Sequence, residues 1–166
     1  MHMEVSKAAG SFMKMATSSL KFRLFLLKDL PMGYLAGLRV RELTAENCVV
    51  TIPYKYLTKN PFRSMYFACL AMAAEMSTGA LAVAATLGSK PSVAMLVKGV
   101  EGDFSKKAVG VIKFSCTDGA AVFHAVGRTK ETGEGETVTC LSVGTDEAGD
   151  EVARFRFTWS FKRRTR

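Results

Sequence analysis

The segment Ser64 to Leu87 constrains this chain more than any other. It holds Met65, Tyr66, Phe67, Leu70, Met72, Met76, Leu81 and Val83 among many alanines, with Glu75 as its one ionisable residue. A helix that is apolar on every side must be buried, in a protein core or in a membrane. The segment is long enough to span a bilayer. Glu75 would then sit near mid-bilayer, at a cost of about 2.5–3.5 kcal/mol. The flanking segments also read as strands with an apolar face in need of cover. The expectation is a central helix buried against a sheet.

The pattern around that helix supplies the sheet. From Gly37, Leu38, Val40 and Glu42 alternate with Arg39, Arg41 and Leu43, and after a turn at Thr44–Asn47 the chain runs β-branched from Cys48 to Tyr54. That period-two pattern predicts a hairpin. Lys55 to Arg63 reads as a loop carrying Asn60-Pro61. Ser92–Phe104 and Ala108–Thr117 read as two long strands joined by the basic bend Ser105-Lys106-Lys107. A short helix is predicted from Thr117-Asp118-Gly119 to Val126, then a mobile loop over Gly127–Gly135, a strand over Glu136–Thr145, and a last strand after Ala148–Asp150. In that last strand Ala153, Phe155, Phe157, Trp159 and Phe161 occupy one face, with Arg154 and Arg156 on the other. Ahead of all this, Ser6–Leu30 reads as one basic, apolar helix stopped by Pro31 and Gly33. Its composition also suits a transit peptide, but a helix packed on the domain is the expectation. The order predicts an α+β fold within one domain over 1–166: an N-terminal helix over about 6–30 and a core over 37–162, in which one central helix lies on a mostly antiparallel sheet.

Composition narrows the chemistry. With 48% hydrophobic residues and a mean hydropathy of +0.12, the chain can bury a core. Lys and Arg total 23 against 15 acids, a formal charge of +8, which favours an anionic partner without choosing one. Cys48, Cys69, Cys116 and Cys140 form no CxxC pair, so they are expected to be reduced core thiols, and no metal site is expected. His2 and His124 are the only histidines. Two-histidine metal binding is therefore excluded around His124, and serine or cysteine catalysis would depend on that one imidazole.

The element order resembles the hotdog fold, a curved antiparallel sheet wrapped around one long helix. In hotdog thioesterases of the phenylacetic-acid-pathway type, an Asn precedes a Gly and then a His-Gly-Gly that opens the central helix, with an Asp or Glu nine residues beyond the His. Here Asn60 matches the Asn, Arg63 replaces the Gly, Tyr66-Phe67-Ala68 replaces His-Gly-Gly, and Glu75 falls on the acid position. Pro31, Gly33, Gly37, Asn60, Pro61, Ala74, Glu75 and Gly79 are similar to a less characterised hotdog branch, and Gly102–Ala108 to its aromatic-then-basic bend. The likeness covers Leu24 to about Lys162.

That resemblance implies an acyl-CoA thioesterase acting on a fatty or aromatic acyl thioester. Free amides of Phe67 and Ala68 would form the oxyanion hole. Glu75 would act as general base for water, or as a nucleophile forming an anhydride, its pKa raised by an apolar setting. Asn60 and Tyr66 would orient water or substrate. A structural role is the competing reading for each: a hydrogen-bonded buried Glu75, a turn-forming Asn60, a packed Tyr66. Coenzyme A enters as part of the substrate and no other cofactor is implied. Lys59, Arg63, Lys90, Lys106, Lys107 and Arg128 are candidate phosphate clamps, each competing with a plain solvated charge. A homodimer or dimer of dimers is implied, with the pocket shared across subunits, in a cytoplasmic protein whose organellar targeting is left open.

Loss of His-Gly-Gly keeps a second reading in play, a non-enzymatic acyl-CoA or lipid binding protein. Nucleic acid is not expected as a partner, because the aromatics and cations of the last strand lie on opposite faces. A membrane is not expected either. The enzymatic reading depends on a substrate-sized hollow beside Glu75.

Overall fold

The computed structural model describes residues 5–164. His2, Thr165 and Arg166 lie outside them. In chain order the elements are α1 (Lys7–Thr17), α2 (Ser19–Asp29), α3 (Pro31–Ala36), β1 (Arg39–Leu43), β2 (Cys48–Pro53), a 3-10 turn (Tyr56–Thr58), α4 (Phe67–Thr86), β3 (Val93–Phe104), β4 (Val111–Cys116), α5 (Gly119–Thr132), β5 (Glu136–Thr145) and β6 (Glu151–Arg163). The six strands form one curved sheet in the order β1-β2-β4-β5-β6-β3, every neighbouring pair antiparallel. With α4 wrapped by that sheet, the chain has the hotdog fold.

The central helix is Phe67–Thr86, and it presses Leu70, Ala73, Ala74, Ser77 and Leu81 into the interior. It is the one helix among the described residues long and apolar enough to cross a membrane, and most of it is buried under the sheet. From the sheet side, Phe155, Phe157, Trp159 and Phe161 of β6 meet it, all buried as the alternation predicts. Losing one such aromatic to alanine costs about 3–5 kcal/mol, so this face supplies much of the core.

The N-terminal segment is three helices rather than one. Thr17-Ser18-Ser19 interrupts it: Ser18 is extended at φ −80° and ψ 116°, and the Thr17 hydroxyl bonds back to the Met13 carbonyl at 2.9 Å, the competition that disfavours such residues inside helices. Leu30 then leaves helical geometry because the following proline forbids it. Pro31, having ended α2, also opens α3 as its first residue. The true stop is Gly37, left-handed at φ 82°.

Two further expectations are corrected. The strands flanking Ser105-Lys106-Lys107 are not neighbours: β3 pairs with β6 at the sheet edge, while β4 lies between β2 and β5. Nor is the stretch after Val126 a loop to Gly135, because α5 runs to Thr132 before Gly133 ends it at φ 80°. Val122, Ala125, Val126 and Thr129 are buried at i, i+3, i+4 and i+7, a helical stripe that the charged and glycine-bearing sequence obscures.

Candidate active site

Two loops converge at the start of α4. Asn60–Met65 leads into the helix, and Ser105–Gly110 carries the chain from β3 to β4. The Met65 amide donates to the Ala108 carbonyl at 2.8 Å, and the Lys107 ammonium donates to the Phe62 carbonyl at 3.3 Å. Arg63 adopts a left-handed φ of 60°. In the motif that this stretch resembles, glycine stands at this position, and the left-handed backbone would give that preference its physical cause.

The Asn60 amide is spent inside its own loop. Its nitrogen donates to the Ser64 hydroxyl (3.1 Å) and the Met65 carbonyl (3.2 Å), and its oxygen accepts from the Phe62 amide (2.9 Å) and the Ser64 amide (3.3 Å). Asn60 thereby shapes the approach to the helix. Tyr66 is the N-cap and makes no side-chain cap, so among the described residues the amides of Phe67 and Ala68 have no backbone acceptor, as the first turn of a helix requires. The rings of Tyr66 and Phe67 are largely exposed and meet edge to face at 4.9 Å between centroids. Phe67 in turn contacts Phe104.

Glu75 lies in the middle of α4. Its carboxyl accepts no hydrogen bond from the described residues, and burial raises its pKa above the ordinary 4.5. It faces a cavity of about 470 Å³ walled by Phe12 of α1, Phe22 and Phe25 of α2, Met76, Gly79 and Val83 of α4, and Met95 of β3. A cavity of this size is in the range that holds small ligands. Gly79 makes the room: a Cβ there would meet a Glu75 carboxyl oxygen at 2.9 Å and the Trp159 ring at 3.2 Å. That α1 and α2 roof this space is not legible in the sequence, where the N-terminal segment shows only an apolar, basic composition.

The cavity runs from Glu75 toward Leu87, and neither Phe67 nor Ala68 lines it. Eight residues of helix separate the Phe67 amide from Glu75, roughly 12 Å at 1.5 Å per residue.

The six candidate clamps do not form one cluster. Lys59, Arg63 and Lys107 gather around the loop into α4, with the Lys59 ammonium 4.5 Å from the Tyr56 ring centroid. Lys90 follows the other end of α4, where it lines a groove with Arg163 and Arg164. Lys106 is held by Asp146 at 2.6 Å and Asp150 at 2.7 Å, and Arg128 pairs with Glu136 at 3.4 Å. The acids that occupy Lys106 are distant in sequence, so no local signal reveals them.

Cys116, Asp118 and Cys140 place their possible ligand atoms within 4.8 Å of one another. They already engage each other: the Cys116 thiol donates to Asp118 at 3.8 Å, and the same carboxylate oxygen accepts from the Leu141 amide at 2.7 Å. Hydrogen bonding to Cys116 and burial push the Cys140 thiol well up, which opposes the thiolate a metal requires. His124 is exposed on α5.

Residues 20–161 match the model of a family described as a domain of unknown function, DUF4442. No curated protein matches the chain. Among solved structures, a Pseudomonas aeruginosa protein of unknown function, named a probable thioesterase, is 21% identical with a TM-score of 0.74, covering 89% of this chain and 97% of its own. A Chlorobaculum tepidum protein of unknown function is 14% identical with a TM-score of 0.72, covering 88% and 94%. A Haemophilus influenzae thioesterase is 12% identical with a TM-score of 0.64, covering 88% and 91%. At these identities the likeness is one of fold.

Proposed function

The chain belongs to the DUF4442 family, and we propose that it hydrolyses an acyl thioester, with coenzyme A as the thiol half of the substrate. The observation that carries this reading is Glu75: a half-buried carboxyl with no hydrogen-bond donor among the described residues, facing an apolar cavity large enough for an acyl chain. A carboxylate half-buried among apolar side chains is costly to leave unpaired, and a structural role would have supplied it with donors. The names of the similar structures support the same reaction class.

The acyl tail lies in the cavity beside Met76, Val83 and Met95. Glu75 takes a proton from water while the water oxygen attacks the thioester carbonyl carbon. Amides of Phe67 and Ala68 hold the oxyanion at the positive end of α4. Collapse breaks the C–S bond, and the proton on Glu75 passes to the departing sulfur, leaving a carboxylic acid and a thiol. Because the two halves of this machinery are roughly 12 Å apart on one helix, the amides come from a second copy of the chain. The exposed edge of β3, with Leu96, Val100 and Phe104 on its surface, supports such a homodimer, since a long unpaired edge invites pairing. Lys59, Arg63 and Lys107 then flank the thiol side as contacts for the coenzyme A phosphates.

Assay of purified protein against acyl-CoA thioesters of increasing chain length and an aromatic acyl-CoA tests this. Turnover is expected to fall about 100-fold or more in Glu75→Gln. Unchanged turnover in that variant removes Glu75 from the mechanism. Absence of turnover with every thioester, together with a co-purified acyl ligand seen by mass spectrometry, selects the binding protein instead.

A further inference from the structure

Helix α2 is apolar on two opposite sides. At 100° per residue, Phe22, Phe25 and Leu26 project to one side, where Phe22 and Leu26 are buried. Leu20, Leu24 and Leu27 project to the other and are 70%, 58% and 54% exposed. Lys21 and Lys28 border this outer stripe along one flank and Arg23 along the other. A helix on the surface of a soluble protein ordinarily turns polar residues outward. Here the outermost row is leucine.

The exposed row continues into neighbouring elements. Helix α3 packs against α2 and adds Met32 and Leu35 at 61% and 47% exposure. The 3-10 turn beside α3 adds Tyr56 and Leu57, both exposed. Scattered surface leucines need no explanation, but a contiguous apolar face of this extent marks an interaction site.

Charge identifies the partner. Between Val5 and Leu38 the cations are Lys7, Lys14, Lys21, Arg23 and Lys28, against Asp29 alone. None of these cations is ion-paired within the described residues. Arg23 instead stacks over Tyr34 at 5.1 Å. The local field is positive enough that Arg23 and Arg41, after burial, help to lower the pKa of Arg39. A second copy docked on the same patch by two-fold symmetry would set cations against cations. A surface that is both apolar and negatively charged has no such conflict. Apolar residues flanked by lysine and arginine are how helices lie in the headgroup layer of anionic bilayers.

We propose that the outer face of α2 and α3 docks the protein on an anionic lipid surface, with Leu20, Leu24 and Leu27 entering the headgroup–acyl boundary and Lys21 and Lys28 meeting lipid phosphates. This is surface attachment and not a membrane span, and it departs from the sequence-based expectation of no membrane partner. It stands independently of the thioester reading, although the inner side of the same helix roofs the Glu75 cavity.

Sedimentation of the full chain with phosphatidylcholine vesicles, with and without a minor fraction of phosphatidylglycerol, is the test. Binding is expected only to the anionic vesicles and should weaken as salt is added. Leu24→Ser with Leu27→Ser should abolish it. Lys21→Gln and Lys28→Gln should each weaken it about fivefold. Circular dichroism checks the fold of each variant, and the lysine pair carries the test should the serine pair fail to fold. Absence of binding to anionic vesicles overturns the proposal, as does binding unchanged by both variant pairs. An assembly that forms without lipid and dissociates in the serine variant, with no vesicle binding, assigns the face to a second copy instead.

Discussion

The indole Nε1 of Trp159 donates a 3.0 Å hydrogen bond to the Thr78 hydroxyl, which donates in turn to the Glu75 carbonyl at 3.0 Å. This chain of two bonds ties the middle of β6 to the turn of α4 that carries the acid. It also holds the Trp159 ring against Gly79, one of the residues lining the cavity. Thr78→Val should strand a buried indole donor and cost about 1–3 kcal/mol. Urea denaturation measures the loss. Any thioesterase activity should fall as well, because the backbone beneath Glu75 loses its tether.

The raised pKa of Glu75 links stability to pH. The folded chain holds this proton to higher pH than the unfolded chain does, so between the ordinary 4.5 and the raised value the native state binds more protons. Stability from this group is thus complete below 4.5 and is lost as pH climbs through the raised value. Glu75→Gln should flatten that decline and melt higher than wild type at neutral pH, as read by thermal unfolding across the weakly acidic range. A hydrolysis rate that depends on the carboxylate should move oppositely, rising over the same interval.

Ser77 of α4 and Ser142 of β5 share a buried hydrogen bond of 2.7 Å, and the Ser77 hydroxyl lies 2.8 Å from the Ala74 carbonyl, to which it donates. Ser77→Ala leaves the Ser142 hydroxyl buried without a partner, for a loss of about 1–3 kcal/mol. Ser142→Ala leaves Ser77 its bond to Ala74 and should cost less, about 1 kcal/mol. The double variant, which strands neither hydroxyl, should lose less than the sum of the two, and a double-mutant cycle on denaturation free energies checks it.

Arg63 occupies left-handed backbone that costs a non-glycine residue about 1–2 kcal/mol. Glycine would relieve this while adding about 0.5–1 kcal/mol of unfolded-state entropy. Arg63→Gly is therefore expected to stabilise the fold by about 0.5–1 kcal/mol. If Arg63 also meets a coenzyme A phosphate, the same change should raise KM for the thioester with little effect on kcat.

Period and apolar content made the architecture legible. A segment with one charge among so many apolar residues has to be central, and the alternation of β6 states which of its faces meets the helix. The resemblance carried by Pro31, Gly37, Asn60, Pro61, Glu75 and Gly79 pointed to the same fold. What these patterns lack is information about distant partners. Lys106 reads as a free cation until Asp146 and Asp150 fold onto it, and Asn60 reads as available until its own loop consumes it. The last turns of α5, beyond Val126, were hidden because the buried Thr129 sits among charged residues and Gly127.

From the sequence by itself came the central position of α4, the inward face of β6 and the one acid inside an apolar helix, because periodicity and burial are local properties of the chain. Only tertiary structure decided that α1 and α2 roof Glu75 and that Leu20, Leu24 and Leu27 face outward. Those facts depend on how separate elements are placed in space, and residues far apart in sequence acquire their distances only when the chain folds.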